Sequence, residues 1–300
     1  MSLKVYMDGE LVPAEDAKVS VWDHCFLYGD GVFEGIRAYN GRVWKLDEHI
    51  DRLYYSARAI MLDIPMSKDE MKDAVLNTLR ANDLRESYIR LVISRGKGDL
   101  GIDVQNCERP SVIIIAAPLK LYPQELYETG LEVVTCATRR IPAEAFDPSI
   151  KSCNYLNNVL AKIEVLRQGL KEGIMLNHAG MVAECTADNI FAVQGRKVMT
   201  PTTTCGALRG ITRGEVLAIA GDLGYEPVES SLAVYDLYSA DECFLSGTGA
   251  ELISVVKIDG RVVGDGKPGP ITTRLLAEFR RRTTTQGVPI YVEAPARAGG

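Results

Sequence analysis

The chain has 300 residues, of which 46% are hydrophobic and 25% charged, and its formal net charge is −6. This is an ordinary globular composition with enough apolar material for two domains or one large one. The acidic balance argues against a nucleic-acid partner or an anionic membrane surface, because both need a basic face. No run of 18 or more apolar residues is present and Met1 to Lys18 is too polar for a signal peptide, so we expect a cytoplasmic protein without a membrane anchor.

The cysteines and histidines give no sign of a metal site. The seven cysteines are odd in number, widely scattered and without a C-x-x-C pair, which indicates reduced thiols rather than a disulfide framework or a zinc site. The three histidines lie too far apart in sequence for an H-x-x-x-H pair. We therefore expect no bound metal, and histidines that are hydrogen-bonded or at the surface.

The first part of the chain predicts strands with helices between them. Asp8-Gly9 indicates a tight hairpin, and Leu46 to Leu62 has helical spacing. Ser67 and Glu70 form a capping-box pattern that opens a second helix, which we expect to end near residue 82. Residues 87–95 and 111–117 then predict strands.

Gly96 to Gly101 matches the dinucleotide-binding pattern G-x-G-x-x-G and follows a predicted strand. That pattern must open a helix, but residues 102–110 show no helical periodicity and end in proline. A surface loop near a functional site is the better interpretation.

Proline and polar residues over 118–130 predict a linker between domains. We therefore expect an N-terminal α/β domain over 1–117 and a larger C-terminal domain over 131–300. Beyond the linker, many short strands alternate with two or three helices, which favours a barrel-like α+β domain.

Lys151 lies just before a predicted helix in that second domain. Five apolar side chains are spaced to fall on one face of the helix, which we expect to anchor it in a core: Leu156, Val159, Leu160, Ile163 and Leu166. A lysine held in such a turn can act as a neutral amine toward carbonyls if it is desolvated, although a solvated surface lysine is the alternative.

Three further features are those that pyridoxal phosphate would require. Gly210-Ile211-Thr212 opens a helix whose N-terminus would favour a phosphate, and Thr212 with Glu215 resembles a second capping box. Glu184 ends a predicted strand and is a candidate carboxylate for the ring nitrogen of the cofactor. Tyr155 could reach its phenolic oxygen.

These residues belong to an extended pattern that resembles the class IV, or fold type IV, pyridoxal-phosphate aminotransferases along nearly the whole chain. The pattern reads Glu184-x-Thr186-x-x-Asn189-Ile190-Phe191, Val198-x-Thr200 and Leu208-x-Gly210-Ile211-x-Arg213. The resemblance is greatest to the branched-chain amino acid aminotransferases. It implies a two-domain fold, with a smaller α/β domain and a larger pseudo-barrel domain that binds the cofactor, and a homodimer as the minimal unit.

The resemblance also implies roles for individual positions. Lys151 would be the catalytic lysine that holds the cofactor and moves the proton. The implied cofactor-binding residues are Arg52, Lys151, Tyr155, Glu184, Leu208, Gly210, Ile211, Thr212 and Thr248. The implied substrate-binding residues are Tyr28, Phe33, Tyr88, Arg90, Gly249, Ala250, Leu100 and Ile102, the last two on a loop that would reach a neighbouring subunit.

The activity implied is ping-pong transamination between branched-chain L-amino acids and 2-oxoglutarate through a Schiff base. D-amino acid aminotransferase, (R)-amine transaminase and aminodeoxychorismate lyase are alternatives of the same fold, and a scaffold protein without cofactor is a more distant one. Cys185 and Gly249 depart from the glycine and alanine that are usual at these positions, which leaves the substrate range open.

Overall fold

The computed structural model describes residues 3–118 and 121–291. They form two compact units, one of residues 3–118 with 282–291 and the other of residues 121–281. The units differ from the predicted domains in that residues 121–130 belong to the second unit and 282–291 to the first. Residues 292–300 of the predicted second domain lie outside the described residues.

The secondary structure alternates short strands with eight helices over the described residues. In chain order the elements are β1 (Lys4–Met7), β2 (Glu10–Pro13), α1 (His24–Tyr28), β3 (Gly31–Tyr39), β4 (Arg42–Val43), α2 (Leu46–Ala59), α3 (Lys68–Ala81), β5 (Ser87–Ser94), β6 (Ser111–Ala117), α4 (Gln124–Thr129), β7 (Leu131–Thr135), α5 (Leu156–Arg167), β8 (Glu172–Leu176), β9 (Val182–Cys185), β10 (Asn189–Gln194), β11 (Lys197–Pro201), α6 (Ile211–Asp222), β12 (Glu226–Ser230), α7 (Val234–Tyr238), β13 (Glu242–Gly247), β14 (Glu251–Ile258), β15 (Arg261–Val262), α8 (Pro270–Thr285) and β16 (Val288–Pro289). Short 3₁₀ helices cover Val104–Asn106 and Thr203–Cys205.

The first unit is built on an antiparallel sheet with the strand order β16-β4-β3-β5-β6-β1-β2. Helices α2 and α3 bury one apolar face each, as their spacing predicted. The capping box at the start of α3 is confirmed, because the Ser67 backbone N–H donates to Glu70 Oε2 at 2.7 Å and the Glu70 N–H donates to Ser67 Oγ at 3.3 Å. No α-helix follows Gly101 in this described stretch, which agrees with the rejection of a dinucleotide-binding loop.

The second unit contains a sheet with the strand order β12-β11-β10-β13-β14-β7-β8-β9, and β15 pairs with β14. Strands β9 and β10 are five positions apart in this order, which is about 24 Å in a flat sheet. Only residues 186–188 connect them, and such a connection spans at most about 14 Å. The sheet therefore curls so that β9 returns toward β10, which produces the barrel-like shape expected for this part of the chain. Its interior is filled by side chains that include Ile190, Leu245 and Ile253.

Residues 124–129 of the segment predicted as a linker form helix α4, whose start follows Pro123. Two local expectations for the second unit were wrong. The second capping box is absent, because α6 begins at Ile211 with Gly210 as its N-cap, and Thr212 lies inside the helix.

The second correction concerns α5. Its apolar face does not enter the core: Leu156, Val159, Leu160, Ile163 and Leu166 are all exposed. The face that packs against the unit is formed by Asn158, Ala161 and Val165 instead. The periodicity correctly predicted a helix, but not which side of it would be covered.

No helix in the described part of the chain is long and apolar enough to span a membrane.

Candidate active site

Lys151 lies in a turn that immediately precedes α5. The turn is shaped by backbone hydrogen bonds, including that from the Ser152 N–H to the Ile150 carbonyl at 2.9 Å. The Lys151 Nζ donates to the Tyr155 hydroxyl at 3.4 Å. Since Tyr155 is the N-cap residue of α5, the helix fixes the tyrosine ring beside the lysine. The structure thus brings these two predicted residues together.

A cleft opens beside Lys151. It is lined by residues from the turn, from the start of α5 and from two segments distant in sequence, among them Arg140, Ile150, Lys151, Tyr155, Asn158 and Leu208. The lysine therefore lies in the wall of a small cleft, and the predicted residue Leu208 forms part of the same wall.

Glu184 is connected to this cleft through Leu208. Its carboxylate is nearly buried at the end of β9, where Oε2 accepts a 2.9 Å hydrogen bond from the Leu208 N–H and a 3.3 Å bond from Asn189 Nδ2. Asn189 also donates to the Leu208 carbonyl at 3.1 Å. The carboxylate is thus held in one orientation by strand β10 and by the segment that leads into α6.

Arg140 is the residue of this site that the sequence did not single out. It is buried, its Nη2 lies 2.9 Å from Glu184 Oε1, and its Nη1 donates to Asn158 Oδ1 at 2.8 Å. Asn158 in turn donates to the Thr186 carbonyl at 2.8 Å. The guanidinium therefore joins helix α5 to the carboxylate, and it supplies the positive charge that a buried glutamate requires.

The N-terminus of α6 lies directly after this network. No side chain caps the helix at Gly210, so the amide groups of its first turn are not used by a capping side chain. A Cβ at position 210 would lie only 2.0 Å from Asn189 Oδ1, so only glycine fits without a shift of Asn189. Leu208, Gly210 and Ile211 thus lie on one segment beside Glu184, while the Thr212 side chain is buried in the first turn.

The turn from Ser246 to Ala250 approaches the same place through the sheet. Ser246 pairs with Asn189 in the β10–β13 ladder, which places the turn next to the start of β10, where Asn189 binds Glu184. The Ser246 Oγ is fully buried and has no hydrogen-bond partner among the described residues. Buried hydroxyls are nearly always satisfied, so the Ser246 hydroxyl is available to bind a further polar group.

The two departures from the family pattern have separate structural settings. Cys185 is fully buried in the barrel core, and burial raises the pKa of its thiol well above the ordinary value. An alanine Cβ at position 249 would lie 3.3 Å from Leu121 Cδ2, so Leu121 occupies part of the space that alanine would take. The cysteine is therefore a core residue, and the glycine is matched to its neighbour.

In the first unit, Arg52 forms a buried ionic network. Its Nε and Nη2 donate to the two carboxylate oxygens of Glu34 at 2.7 and 2.8 Å, and His49 Nδ1 lies 2.6 Å from Glu34 Oε2. Burial alone would raise the pKa of Glu34, but the charges and hydrogen bonds of Arg52 and His49 outweigh it and lower this pKa to about 2. The network fixes the guanidinium on α2 against β3.

Three predicted substrate residues lie together on one face of the β3–β5 ladder. The Arg90 guanidinium carbon is 4.5 Å from the centre of the Phe33 ring, and its Nη2 donates to the Tyr88 hydroxyl at 3.1 Å. Gly35 leaves room for this arrangement, because a Cβ there would lie 2.1 Å from the Tyr88 oxygen. The cluster combines two aromatic walls with a cation and a hydroxyl.

Tyr28, Leu100 and Ile102 form a second group in the first unit. The Tyr28 hydroxyl donates to the Leu100 carbonyl at 2.5 Å, while the Leu100 and Ile102 side chains are exposed. His24 also contacts this loop, since its Nε2 is 3.0 Å from the Asp99 carbonyl oxygen. The loop thus presents two apolar side chains outward from a fixed base.

The second-unit residues fit pyridoxal phosphate on their own chemistry. Lys151 provides an amine with Tyr155 beside it, and Glu184 provides a buried carboxylate for a ring nitrogen. The uncapped first turn of α6 suits a phosphate. The unsatisfied Ser246 hydroxyl is a further polar group in this part of the unit.

Comparisons with known proteins place these observations in context. The family model described as class IV aminotransferase matches residues 31–258. The branched-chain amino acid aminotransferase of Escherichia coli strain K12 is 37% identical over 281 residues, which cover 92% of this chain and 91% of that protein.

Solved structures agree in fold. The branched-chain aminotransferase of Thermoproteus uzoniensis with norvaline has a TM-score of 0.89 and 40% identity, with 95% of each chain covered. The T.th. branched-chain amino acid aminotransferase complexed with N-(5'-phosphopyridoxyl)-L-glutamate has a TM-score of 0.89 and 35% identity, again with 95% of each chain covered.

Proposed function

This chain belongs to the class IV aminotransferase family, and we propose that it exchanges the amino group between branched-chain L-amino acids and 2-oxoglutarate. The observation that carries the proposal is the cleft in which Lys151 and Tyr155 face Leu208, the residue whose N–H holds the Glu184 carboxylate. The amine and the hydroxyl thus line one small space, and the buried carboxylate is held by a residue of its wall.

The cofactor is pyridoxal 5'-phosphate, as in other class IV aminotransferases. When bound, it supplies an electron-accepting ring that makes the α proton of an amino acid removable. We assign Lys151 to its covalent attachment, Glu184 to the ring nitrogen, Tyr155 to the phenolic oxygen and the start of α6 to the phosphate. Arg52 and Thr248 are further phosphate ligands in this proposal.

Each side chain then has a defined physical task. Lys151 takes the α proton from the amino acid and later gives that proton up again. Its amine must therefore stay within reach of the substrate while it changes protonation state. The Tyr155 hydroxyl at 3.4 Å provides a fixed hydrogen-bond partner for Nζ. The Glu184 carboxylate is held in a nearly buried position by Arg140, the Leu208 N–H and Asn189, and a fixed carboxylate is what a protonated ring nitrogen requires.

Substrate choice is proposed from the relatives and from the first unit. The Thermoproteus uzoniensis enzyme was solved with norvaline, an aliphatic amino acid, and the T.th. enzyme with a phosphopyridoxyl adduct of glutamate. A branched-chain donor with 2-oxoglutarate as acceptor is consistent with both. Phe33, Tyr88 and Arg90 would bind such substrates, because they offer aromatic surface beside a cation and a hydroxyl.

The remaining substrate residues and the surroundings of the enzyme complete the proposal. Tyr28, Gly249 and Ala250 would line the substrate pocket, and Leu100 with Ile102 would reach the pocket of a neighbouring subunit. We propose a homodimer. The seven free cysteines support a reducing, cytoplasmic environment.

The direct test is replacement of Lys151 by alanine, with Lys171→Ala as control because Lys171 is an exposed lysine of the same unit. We expect Lys151→Ala to lose transamination of L-leucine with 2-oxoglutarate by at least a thousandfold, together with the visible absorbance of the bound cofactor, and the control to keep both. A Lys151→Ala protein that retains turnover and absorbance would show that another lysine carries the reaction.

Specificity is tested separately by single half-reactions. The purified holoenzyme is mixed with L-leucine, L-glutamate, D-alanine or (R)-1-phenylethylamine, and the loss of cofactor absorbance is followed. Fast reaction with L-leucine and L-glutamate supports the proposal. Faster reaction with D-alanine or the (R)-amine would reassign the enzyme within the same family.

A further inference from the structure

His24, the first residue of α1, is almost completely buried beneath the loop of residues 95–110 that joins β5 to β6, called here the β5–β6 loop. Its backbone N–H donates to the Gly96 carbonyl at 2.9 Å. Its ring stands edge-on to the Tyr28 ring, with 5.2 Å between the ring centres. A polar ring in such a buried place is costly unless its nitrogens have hydrogen-bond partners.

Both ring nitrogens of His24 find partners on the β5–β6 loop. Nε2 lies 3.0 Å from the Asp99 carbonyl oxygen, and Nδ1 lies 3.3 Å from Cys107 Sγ. A carbonyl oxygen can only accept, so Nε2 carries the proton and the lone pair of Nδ1 accepts from the Cys107 thiol. Burial, with the charge of Asp30 adding to it, raises the pKa of this thiol, which keeps it protonated as the donor.

Asp99 transmits this anchorage to the outer part of the loop. Its Oδ1 accepts from the Gly101 N–H at 2.7 Å, and its Oδ2 accepts from Asn106 Nδ2 at 2.8 Å. The loop thus closes around Asp99, whose own carbonyl is held by His24. The exposed side chains of Leu100 and Ile102 are carried on this closed segment.

Gly98 shows how closely the loop backbone packs on the His24–Cys107 pair. A Cβ at position 98 would lie 2.6 Å from His24 Nε2 and 3.0 Å from Cys107 Sγ. Any side chain there would push the imidazole away from its partners. One glycine of the stretch from Gly96 to Gly101 is therefore explained by packing against a histidine, without a bound nucleotide.

We propose that His24 and Cys107 are positioning residues, which hold the β5–β6 loop in the conformation from which Leu100 and Ile102 contact the substrate. The inference rests on the proposed function, which places these two side chains at the pocket of a neighbouring subunit, and it adds the residues that set their position. Neither His24 nor Cys107 touches the substrate. Because the side chains that they position are aliphatic, their loss should weaken binding of L-leucine and leave proton transfer at Lys151 intact.

The hold on the loop is tested by amide hydrogen exchange of residues 98–107, measured by mass spectrometry. Cys107→Ala removes the donor to His24 Nδ1, so exchange in this segment should become faster by about threefold or more. Cys107→Ser should exchange like the wild type, because a hydroxyl can also donate to Nδ1. Gln105→Ala is the matched control, since Gln105 is an exposed residue of the same loop, and its exchange should not change.

The consequence for the substrate is tested by steady-state kinetics of the holoenzyme with L-leucine and saturating 2-oxoglutarate. Cys107→Ala should raise KM for L-leucine about 3- to 10-fold, the effect of one lost hydrogen bond, and keep kcat within about twofold. Cys107→Ser and Gln105→Ala should keep the wild-type KM. His24→Phe preserves a ring against Tyr28 but loses both hydrogen bonds, so its KM should rise further than that of Cys107→Ala.

Several results would overturn the proposal. Unchanged exchange in Cys107→Ala and His24→Phe would show that the loop is held without the pair, and faster exchange with an unchanged KM would show that the loop does not position substrate contacts. A Cys107→Ser variant as impaired as Cys107→Ala would show that the hydrogen bond to Nδ1 is not the cause.

A further variant covers the case in which His24→Phe does not fold. Gly98→Ala displaces the imidazole sterically and should raise KM for L-leucine in the same way, and an unchanged KM would contradict the proposal. A wild-type protein that transaminates neither L-leucine nor L-glutamate, while the exchange rates respond as expected, would refute the proposed function. The role of the pair in holding the loop would then stand, and its link to the substrate would fall.

Discussion

Replacement of Gly210 by alanine tests whether the residues around Glu184 act as one rigid support. Gly210 has φ of −62°, which alanine adopts without strain, so the effect of the change is steric. The new Cβ would lie 2.0 Å from Asn189 Oδ1, and the amide must move by on the order of 1 Å to avoid it. That shift breaks the Asn189 hydrogen bonds to Glu184 and to Leu208.

The cost follows from these contacts. Overpacking costs about 1–3 kcal/mol, and loss of a hydrogen bond to a charged group adds about 1.5–3 kcal/mol. We expect an unfolding free energy lower by about 2.5–6 kcal/mol. Part of this loss falls on the orientation of Glu184, so the dissociation constant of pyridoxal phosphate should rise about 10- to 100-fold.

The measurement is a titration of apoenzyme with pyridoxal phosphate, followed by absorbance, together with urea unfolding. Gly214→Ala is the control, because a Cβ there meets nothing within 4 Å and should stabilise α6 by up to about 1 kcal/mol. Gly210→Ser separates the steric effect from N-cap preference, since serine is a good N-cap but carries the same Cβ. Wild-type affinity in Gly210→Ala, or full recovery in Gly210→Ser, would refute the reasoning.

Three other substitutions report on buried charges. Arg140→Leu removes the guanidinium 2.9 Å from Glu184, so we expect a loss of about 3–5 kcal/mol in urea unfolding, and an unchanged midpoint would contradict the pairing. The pKa of Glu34 is lowered to about 2. The ionised carboxylate therefore adds about 3 kcal/mol to the unfolding free energy above pH 4.5, and this contribution is lost as the pH falls toward 2. Glu34→Gln should remove this part of the acid dependence of the unfolding free energy. Burial, with the Glu172 charge adding to it, raises the pKa of Asp188 to about 7, so folding stability is lost as the pH rises from 4 through 7. Asp188→Asn should remove that loss and raise the melting temperature at pH 8. A lower melting temperature at pH 8 would show that the charge is needed.

The local features of the fold were predictable where one short segment decides them. Ser67 and Glu70 form their capping box within one turn, and the first-unit helices bury the faces that their spacing indicates. Such features depend on residues three or four positions apart, which the sequence displays directly.

The orientation of α5 could not be predicted in the same way. Its strongest apolar periodicity lies on the exposed face, while the inward face is fixed by Asn158 through contacts to Arg140 and the Thr186 carbonyl. Hydrophobic spacing identifies a face that needs cover but not whether the cover comes from the same chain. A single sequence therefore favoured a core where the structure has an open surface.

Within the candidate site, the family pattern predicted Lys151, Tyr155 and Glu184. The structure places Lys151 and Tyr155 in one cleft, and Leu208 in the wall of that cleft binds Glu184. It did not reveal Arg140, which is 44 residues from Glu184 along the chain and has no motif of its own. An arginine without a known partner is expected to be a charge at the protein surface. The Arg140 N–H binds the Leu176 carbonyl at the end of β8, and β8 pairs with β9, so strand pairing brings the two side chains together.

The order of strands in the second unit has a consequence for how the enzyme matures. Strand β14 is inserted between β13 and β7, so it joins two groups of strands, β7-β8-β9 and β12-β11-β10-β13, that are otherwise not paired with each other. Pairings over such long sequence distances form slowly, because the chain must first close a large loop. The residues proposed to bind the cofactor are divided between the two groups, with Glu184 on β9 and Thr248 in the turn after β13. The proposed site is consequently complete only once β14 has paired with both groups, so cofactor binding there would stabilise the folded unit.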